Sequence, residues 1–240
     1  MKHKLQKKHF ISLAVLLSAL ALVVVGSIMA FFSSTDQTTN KFIGSRFDIS
    51  LIEPHWNPDT AKRVVPGDEL DKDPQVINRE HTNGYIYIRV TVPCDTQMVD
   101  NADGTPLGAT GQNVPMYKFV NTAGAYDATF SAKQTVNDHW VLVAQNGNDY
   151  TDQVSEDNNK QLVYVYAYAE NGKLTALKQD EHTNTLFEKL HLWNFNESYD
   201  PDQDHSVLVE ALGIQSDIPG YTENNINEIW YDILSKEDGN

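Results

Sequence analysis

Two stretches of the 240-residue chain alternate between side-chain types with a period of two residues. In residues 84–93 (GYIYIRVTVP) one face carries Ile86, Ile88, Val90 and Val92, and the other carries Tyr85, Tyr87, Arg89 and Thr91. Residues 161–169 (QLVYVYAYA) likewise place Tyr164, Tyr166 and Tyr168 on one face and Val163, Val165 and Ala167 on the other. This period belongs to a β-strand and does not fit a helix, so both stretches predict strands.

Further short stretches favour strands, and turn-forming residues separate them. The additional strand candidates are residues 46–53, 115–120, 139–145, 185–193 and 206–214. Clusters of Asn, Asp, Gly and Pro interrupt them at 101–113 and 146–159, as expected for turns. Many short strands with such turns predict an all-β sandwich or barrel.

One segment near the C-terminus has helical spacing. In residues 222–235 (TENNINEIWYDILS) the apolar positions are Ile226, Ile229, Trp230, Ile233 and Leu234. This spacing predicts one amphipathic helix that packs on the sheets, with Thr222 or Asn224 as its N-cap. With no internal repeat visible, residues 46–236 are interpreted as a single domain.

The N-terminus has the pattern of an export signal. Residues 1–30 contain four lysines and no acidic residue, and residues 11–32 form an uncharged apolar run of 22 residues. A cationic start followed by an apolar run predicts a signal peptide over residues 1–30. The run is also long enough to span a bilayer, so an uncleaved membrane anchor is the alternative.

The predicted cleavage region is Met29, Ala30 and Phe31. Ala30 is small, but Ile28 two residues before it is not, so the usual small-x-small pattern is incomplete. A specialised signal peptidase or a shifted cut is therefore expected. Both the cleaved and the anchored forms place the body outside the cytoplasmic membrane.

The body is strongly acidic. Residues 31–240 hold 14 basic and 33 acidic side chains, a net charge of −19. Because a nucleic-acid partner requires clustered Lys and Arg, this balance argues against nucleic-acid binding. The expected membrane contact is through the leader alone.

No enzyme motif is visible. The sequence lacks H-E-x-x-H, G-x-S-x-G, a P-loop and a dinucleotide fingerprint. The histidines after the leader stand singly and are interpreted as surface or turn residues: His55, His81, His139, His182, His191 and His205. Cys94, the only cysteine, is interpreted as a structural thiol, since its sequence neighbours Asp95 and Asp100 do not favour a thiolate. The expectation is a protein without catalytic activity.

Calcium is the one cofactor with a candidate site. Asp200, Asp202 and Asp204 stand at alternate positions, like the first ligands of an EF-hand loop. The match stops at His205, where that loop needs Gly, and at Ala211, where it needs Glu. Solvated acidic turns are the competing interpretation, and no cofactor is the expectation.

Several segments, taken in order, resemble the TasA/camelysin family. They are residues 30–49 (AFFSSTDQTTNKFIGSRFDI), 65–78 (VPGDELDKDPQVIN), 85–92 (YIYIRVTV), 186–187 (LF) and 209–215 (VEALGIQ). The departures are Ser33-Ser34-Thr35 in place of the commoner T-D-T, and Gly213 where Ala is usual. Residues 95–160 match no segment of the family.

The resemblance implies a fold and a biological setting. The family consists of exported proteins of Gram-positive bacteria with leaders cut by a SipW-type signal peptidase. It implies a jelly-roll-like β-sandwich and, for some members, assembly into extracellular biofilm fibres. Other members carry a metallopeptidase label, which the absence of a metal motif here does not favour.

Three functions follow as expectations. The first is a secreted matrix protein that self-assembles through its N-terminal arm (residues 31–45), with other matrix proteins as possible partners. In it the exposed residues Phe31, Phe32, Ser33, Ser34 and Thr35 would complete the sheet of another copy by strand addition. The alternatives are a monomeric cell-surface module that uses the Tyr164–Tyr168 face, and a camelysin-type metallopeptidase.

Overall fold

The computed structural model describes residues 47–57, 65–95, 99–100, 114–129, 131–145, 148–149, 151–152, 161–195 and 206–237. These residues form sixteen strands: β1 (Ile49–Ile52), β2 (Glu69–Asp71), β3 (Gln75–Asn78), β4 (Gly84–Asp95), β5 (Val99–Asp100), β6 (Val114–Pro115), β7 (Tyr117–Val120), β8 (Trp140–Leu142), β9 (Ala144–Gln145), β10 (Asn148–Asp149), β11 (Thr151–Asp152), β12 (Gln161–Glu170), β13 (Lys173–Leu174), β14 (Lys189–Leu192), β15 (Asn194–Phe195) and β16 (Leu208–Gln215). Helical structure in this part of the chain is confined to one short C-terminal segment. The predicted all-β class with a C-terminal helix is therefore confirmed.

The largest sheet is built around β4. The neighbouring strands β12 and β16 both pair with it antiparallel, with Tyr87 opposite Ala167 on one side and opposite Leu212 on the other. The short strands β8, β11 and β13 pair with β12, and β6 pairs with the end of β4. The two stretches with the clearest alternation thus form the centre of the sheet.

One face of this sheet packs against two smaller sheets, β1–β3 and β2–β14–β7. The predicted apolar face of β4, from Ile86 to Val92, lies in this core and is fully buried. The facing sheets contribute Leu51, Val76, Phe119 and Leu190, among others. Burial of such side chains stabilises each by about 1.5–3 kcal/mol relative to exposure.

The opposite face packs against the C-terminal helical segment. Tyr85 and Tyr87 of β4 share a second core with Ile229 and Trp230. The Tyr87 hydroxyl donates a hydrogen bond to the carbonyl of Ile226 at 2.9 Å. Burial raises the pKa of Tyr87, so this hydroxyl stays protonated and remains a donor.

The helical segment differs in detail from the predicted helix over 222–235. It comprises α1 (Ile226–Ile229), a π-helical turn (Trp230–Leu234) and α2 (Ser235–Glu237). The N-cap is Asn225, and neither Thr222 nor Asn224 caps it as predicted. The reason is local: Asn225 Oδ1 accepts hydrogen bonds from Thr222 N and Oγ1, so residues 222–225 form a turn.

The strand predictions are mostly correct, with two ranges shortened. Each of the seven predicted ranges contains at least one strand, but in the range 46–53 the strand is only Ile49–Ile52, β1. In the range 185–193, only Lys189–Leu192 forms a strand, β14. Just before it, Thr183 N and Leu186 N donate instead to the carbonyls of Val76 and Pro74, beside β3.

The segment Lys72-Asp73-Pro74, part of the resemblance, anchors the turn after β1. Lys72 pairs with Glu53 at 2.7 Å, and the side chains of both are 9% exposed. The buried Asp73 carboxylate accepts from the backbone N of His55 at 2.9 Å and contacts its ring Nδ1 at 2.7 Å. Lys72 Nζ also lies 4.3 Å from the ring centroid of Trp56, a cation–π distance.

Candidate functional site at the edge of strand β16

The site residues predicted from the sequence lie outside the described residues. They are the cleavage region Met29, Ala30 and Phe31, the arm residues Phe31, Phe32, Ser33, Ser34 and Thr35, and the calcium candidates Asp200, Asp202 and Asp204. The structure does describe the sheet edges that a donor arm would meet. Those edges therefore form the candidate site.

Strand β16 provides the longest sheet edge in the described part of the chain. Its eight residues pair with β4 on one side, and no other described strand pairs with them. The strands at the edges of the two facing sheets, β1, β2 and β7, have only three or four residues. Short edge strands are a common protection against unwanted pairing, and β16 lacks this protection.

The pairing with β4 determines which backbone groups of β16 point outward. Ser216 N donates to Asn83 O at 2.8 Å, which makes this a hydrogen-bonded pair. Hydrogen-bonded pairs alternate in an antiparallel ladder, so the even-numbered residues of β16 bond to β4. The N–H and C=O groups of Val209, Ala211, Gly213 and Gln215 therefore face away from β4.

The side chains along β16 leave this edge without an unpaired charge. The outward-bonding residues Val209 and Ala211 turn their side chains into the core and are 4% and 7% exposed. The single charged residue of the strand, Glu210, is buried on the other face and contacts Arg89 at 2.6 Å. A strand without Lys or Pro at its edge lacks the usual features that block strand addition.

Phe47 packs on the core-facing side of β16. The ring of Phe47 lies over two glycines, Gly84 at the start of β4 and Gly213 in β16. A Cβ on Gly213 would lie 2.7 Å from Phe47 Cδ1 and 3.0 Å from Ile49 Cγ2. The structure thus gives a physical reason for Gly213, where the resemblance leads one to expect Ala.

The tyrosine face considered for recognition is buried. Tyr164, Tyr166 and Tyr168 are 1%, 2% and 7% exposed and belong to the core between the sheets. The prediction that this face forms a binding surface is wrong. Alternation shows that two faces differ, but it does not show which of them another sheet covers.

The described histidines, cysteine and carboxylates do not form a metal cluster. In that part of the chain no group of three or more His, Cys, Asp or Glu residues is placed to hold an ion. Cys94 is fully buried in the core. The described helices also include none with the length and apolar character needed to cross a membrane.

Comparisons of the chain with protein-family models, with curated proteins and with solved structures find no match.

Sequence reasoning identified β16 as a strand but missed its role as an edge. The pattern LVEALGIQ alternates too weakly to show whether a strand lies in the middle or at the border of a sheet. The absence of Pro and Lys from the strand was the available signal.

Proposed function

We propose that this protein is a secreted structural component of an extracellular matrix and assembles with copies of itself by strand addition. In this proposal it is a TasA/camelysin-type protein of a Gram-positive cell surface or biofilm, with a jelly-roll-like β-sandwich. A SipW-type signal peptidase removes residues 1–30, and the arm of residues 31–45 then pairs with β16 of another copy. Other matrix proteins join as secondary partners.

The observation that carries the proposal is the edge of β16. It offers four outward-facing residues, Val209, Ala211, Gly213 and Gln215, over eight consecutive strand positions. Main-chain hydrogen bonds provide the affinity in strand addition, so a long edge with no blocking charge is what a donor arm requires.

The arm has a suitable length and composition. Fifteen residues span at most about 50 Å when extended, and eight strand residues occupy about 27 Å. Residues 31–35 (FFSST) carry no charge and begin with two aromatic residues, which pack well in sheets. A head-to-tail contact of this kind does not close on itself, so repetition gives a filament.

Electron microscopy of the chain that begins at Phe31 tests the proposal. Filaments are expected from the protein alone, and more readily at mildly acidic pH. The pH matters because the 33 acidic side chains repel one another less when they are partly protonated. Deletion of residues 31–35 is expected to abolish the filaments; filaments that persist would exclude the donor arm.

A proline in β16 tests the acceptor edge separately. Ala211→Pro removes an outward N–H and leaves the hydrogen bonds to β4 in place, which proline tolerates at an edge. The variant is expected to fold but not to form filaments. Asp71→Pro, in the exposed edge strand β2, is the matched control and should still assemble.

The alternatives give different results in the same experiments. A chain that stays monomeric at both pH values favours a cell-surface binding module or a protein that polymerises only with a partner. Chelator-sensitive cleavage of casein by the pure protein would favour the metallopeptidase.

A further inference from the structure

A second sheet edge, at β7, is closed by a side chain. Strand β7 lies at the border of the sheet β2–β14–β7. Trp193 N donates to Met116 O at 3.1 Å, so in the β7–β14 ladder Tyr117 and Phe119 are the residues whose backbone groups face outward.

The amide of Gln134 bonds to both of these residues. Phe119 N donates to Gln134 Oε1 at 2.9 Å, and Gln134 Nε2 donates to Tyr117 O at 3.0 Å. A residue in a parallel strand beside Lys118 would form the same two hydrogen bonds. Its N–H would donate to Tyr117 O, and its carbonyl would accept from Phe119 N. The side-chain amide therefore occupies the position of a neighbouring strand.

The chain just before Gln134 is held in place by two buried side chains. Lys118 Nζ donates to the carbonyls of Ser131 and Lys133 at 2.7 and 2.8 Å. The hydroxyl of Tyr164 donates to the carbonyl between them, that of Ala132. Three consecutive carbonyls are thus fixed, and Lys118 itself is fully buried in the fold.

We propose that Gln134 is an edge cap that closes β7 to strand addition, so that copies of this chain join at β16 and not at β7. The cap occupies the outward N–H of Phe119 and the outward C=O of Tyr117 with one amide, which presents no further strand edge to a second copy. The capping contact stands by itself, whereas the choice of β16 rests on the proposed function.

The variant Gln134→Met tests the cap, since it keeps the side-chain length and removes both hydrogen bonds. Amide exchange of Phe119, measured by NMR, is expected to be at least tenfold faster than in the unmodified chain. Gln179→Met, at an exposed glutamine away from β7, is the matched control. If Gln134→Met does not fold, Gln134→Asn, one methylene too short to reach both groups, replaces it. Unchanged Phe119 exchange would overturn the cap.

Association is measured in the chain that lacks residues 31–35. Adding Gln134→Met to this deletion is expected to produce dimers and larger species on size-exclusion chromatography, through β7. The deletion alone, and the deletion with Gln179→Met, should remain monomeric. If Gln134→Met speeds the amide exchange of Phe119 but the chain stays monomeric, Gln134 does not block strand addition at β7. Filaments formed by the chain that lacks residues 31–35 would contradict the donor arm. The amide exchange of Phe119 would still test the cap in that case.

Discussion

The contact between Phe47 and Gly84 predicts that Gly84→Ala destabilises the protein when the Phe47 ring is present and stabilises it when the ring is removed. A Cβ on Gly84 would lie 1.9 Å from Phe47 Cζ and 2.3 Å from Cε1, so the ring must move. Forcing extra volume into a packed core costs about 2 kcal/mol, the expected loss of unfolding free energy for Gly84→Ala. Gly213→Ala, with its nearest ring atom at 2.7 Å, should lose about 1 kcal/mol.

Removal of the ring should reverse the effect of Gly84→Ala. Phe47→Ala alone is expected to lose about 4 kcal/mol, because the ring is buried. In that background the new methyl group no longer meets the ring. Gly84 does not have a positive φ, so alanine fits its backbone and is expected to stabilise by about 0.5 kcal/mol.

Guanidinium denaturation followed by tryptophan fluorescence measures all four proteins of this double-mutant cycle. The expected coupling between the two sites is about 2.5 kcal/mol. Phe47→Leu replaces Phe47→Ala if the latter is too unstable to measure. The contact between the ring and the glycine is refuted if the losses of unfolding free energy of the two single variants sum to the loss of the double variant within about 0.5 kcal/mol. The ring would then not lie on Gly84.

Three further predictions concern charged groups. Burial lowers the pKa of Lys118 to about 8, so between pH 8 and 10.5 the folded state loses its proton first. The unfolding free energy should therefore rise with pH in this window by up to about 3 kcal/mol relative to Lys118→Met, as measured by chemical denaturation at each pH. The hydrogen bond to Asp73 raises the pKa of His55, so its stabilisation is full below pH 6.5 and is lost as pH rises through the folded-state pKa. An NMR titration of the ring that gives 6.5 or less would contradict this contact. Arg89→Met leaves the Glu210 carboxylate buried without its closest cation and should lose about 3 kcal/mol. Adding Glu210→Leu should recover most of that loss in thermal and chemical unfolding.

The central strands could be predicted because their signal is local. In β4 and β12 the side-chain types alternate over ten and nine residues. Both faces of these strands are buried, one in each of the two cores, and the alternation is still present. The identity of the covering layer was not predictable, since it depends on contacts between distant parts of the chain. The tyrosines of β12 therefore suggested a surface and proved to be core.

The cap at Gln134 shows another limit. Gln134 bonds to residues 15 and 17 positions away through a side chain that sequence patterns treat as an ordinary loop residue. Side-chain hydrogen bonds that replace a strand leave no periodicity to detect.

The edge at β16 could be predicted only in part. The sequence indicated a strand there, and the arm was suggested by two aromatic residues after the leader. We propose that the two form one site, and the proposal is supported by the ring of Phe47, which lies near Gly213. This contact spans most of the chain and has no local signature.

The position of β16 in the chain also determines when the fold can form. The central strand β4 needs a partner more than a hundred residues later, as the 121-residue separation of Arg89 and Glu210 shows. The hydrogen bond from Tyr87 to Ile226 closes a separation of 139 residues. Chains dominated by such distant contacts fold slowly, because loop closure precedes the energetic gain. The main sheet therefore stays incomplete until strand β16 and the C-terminal helical segment, both near the end of the described residues, have been synthesised.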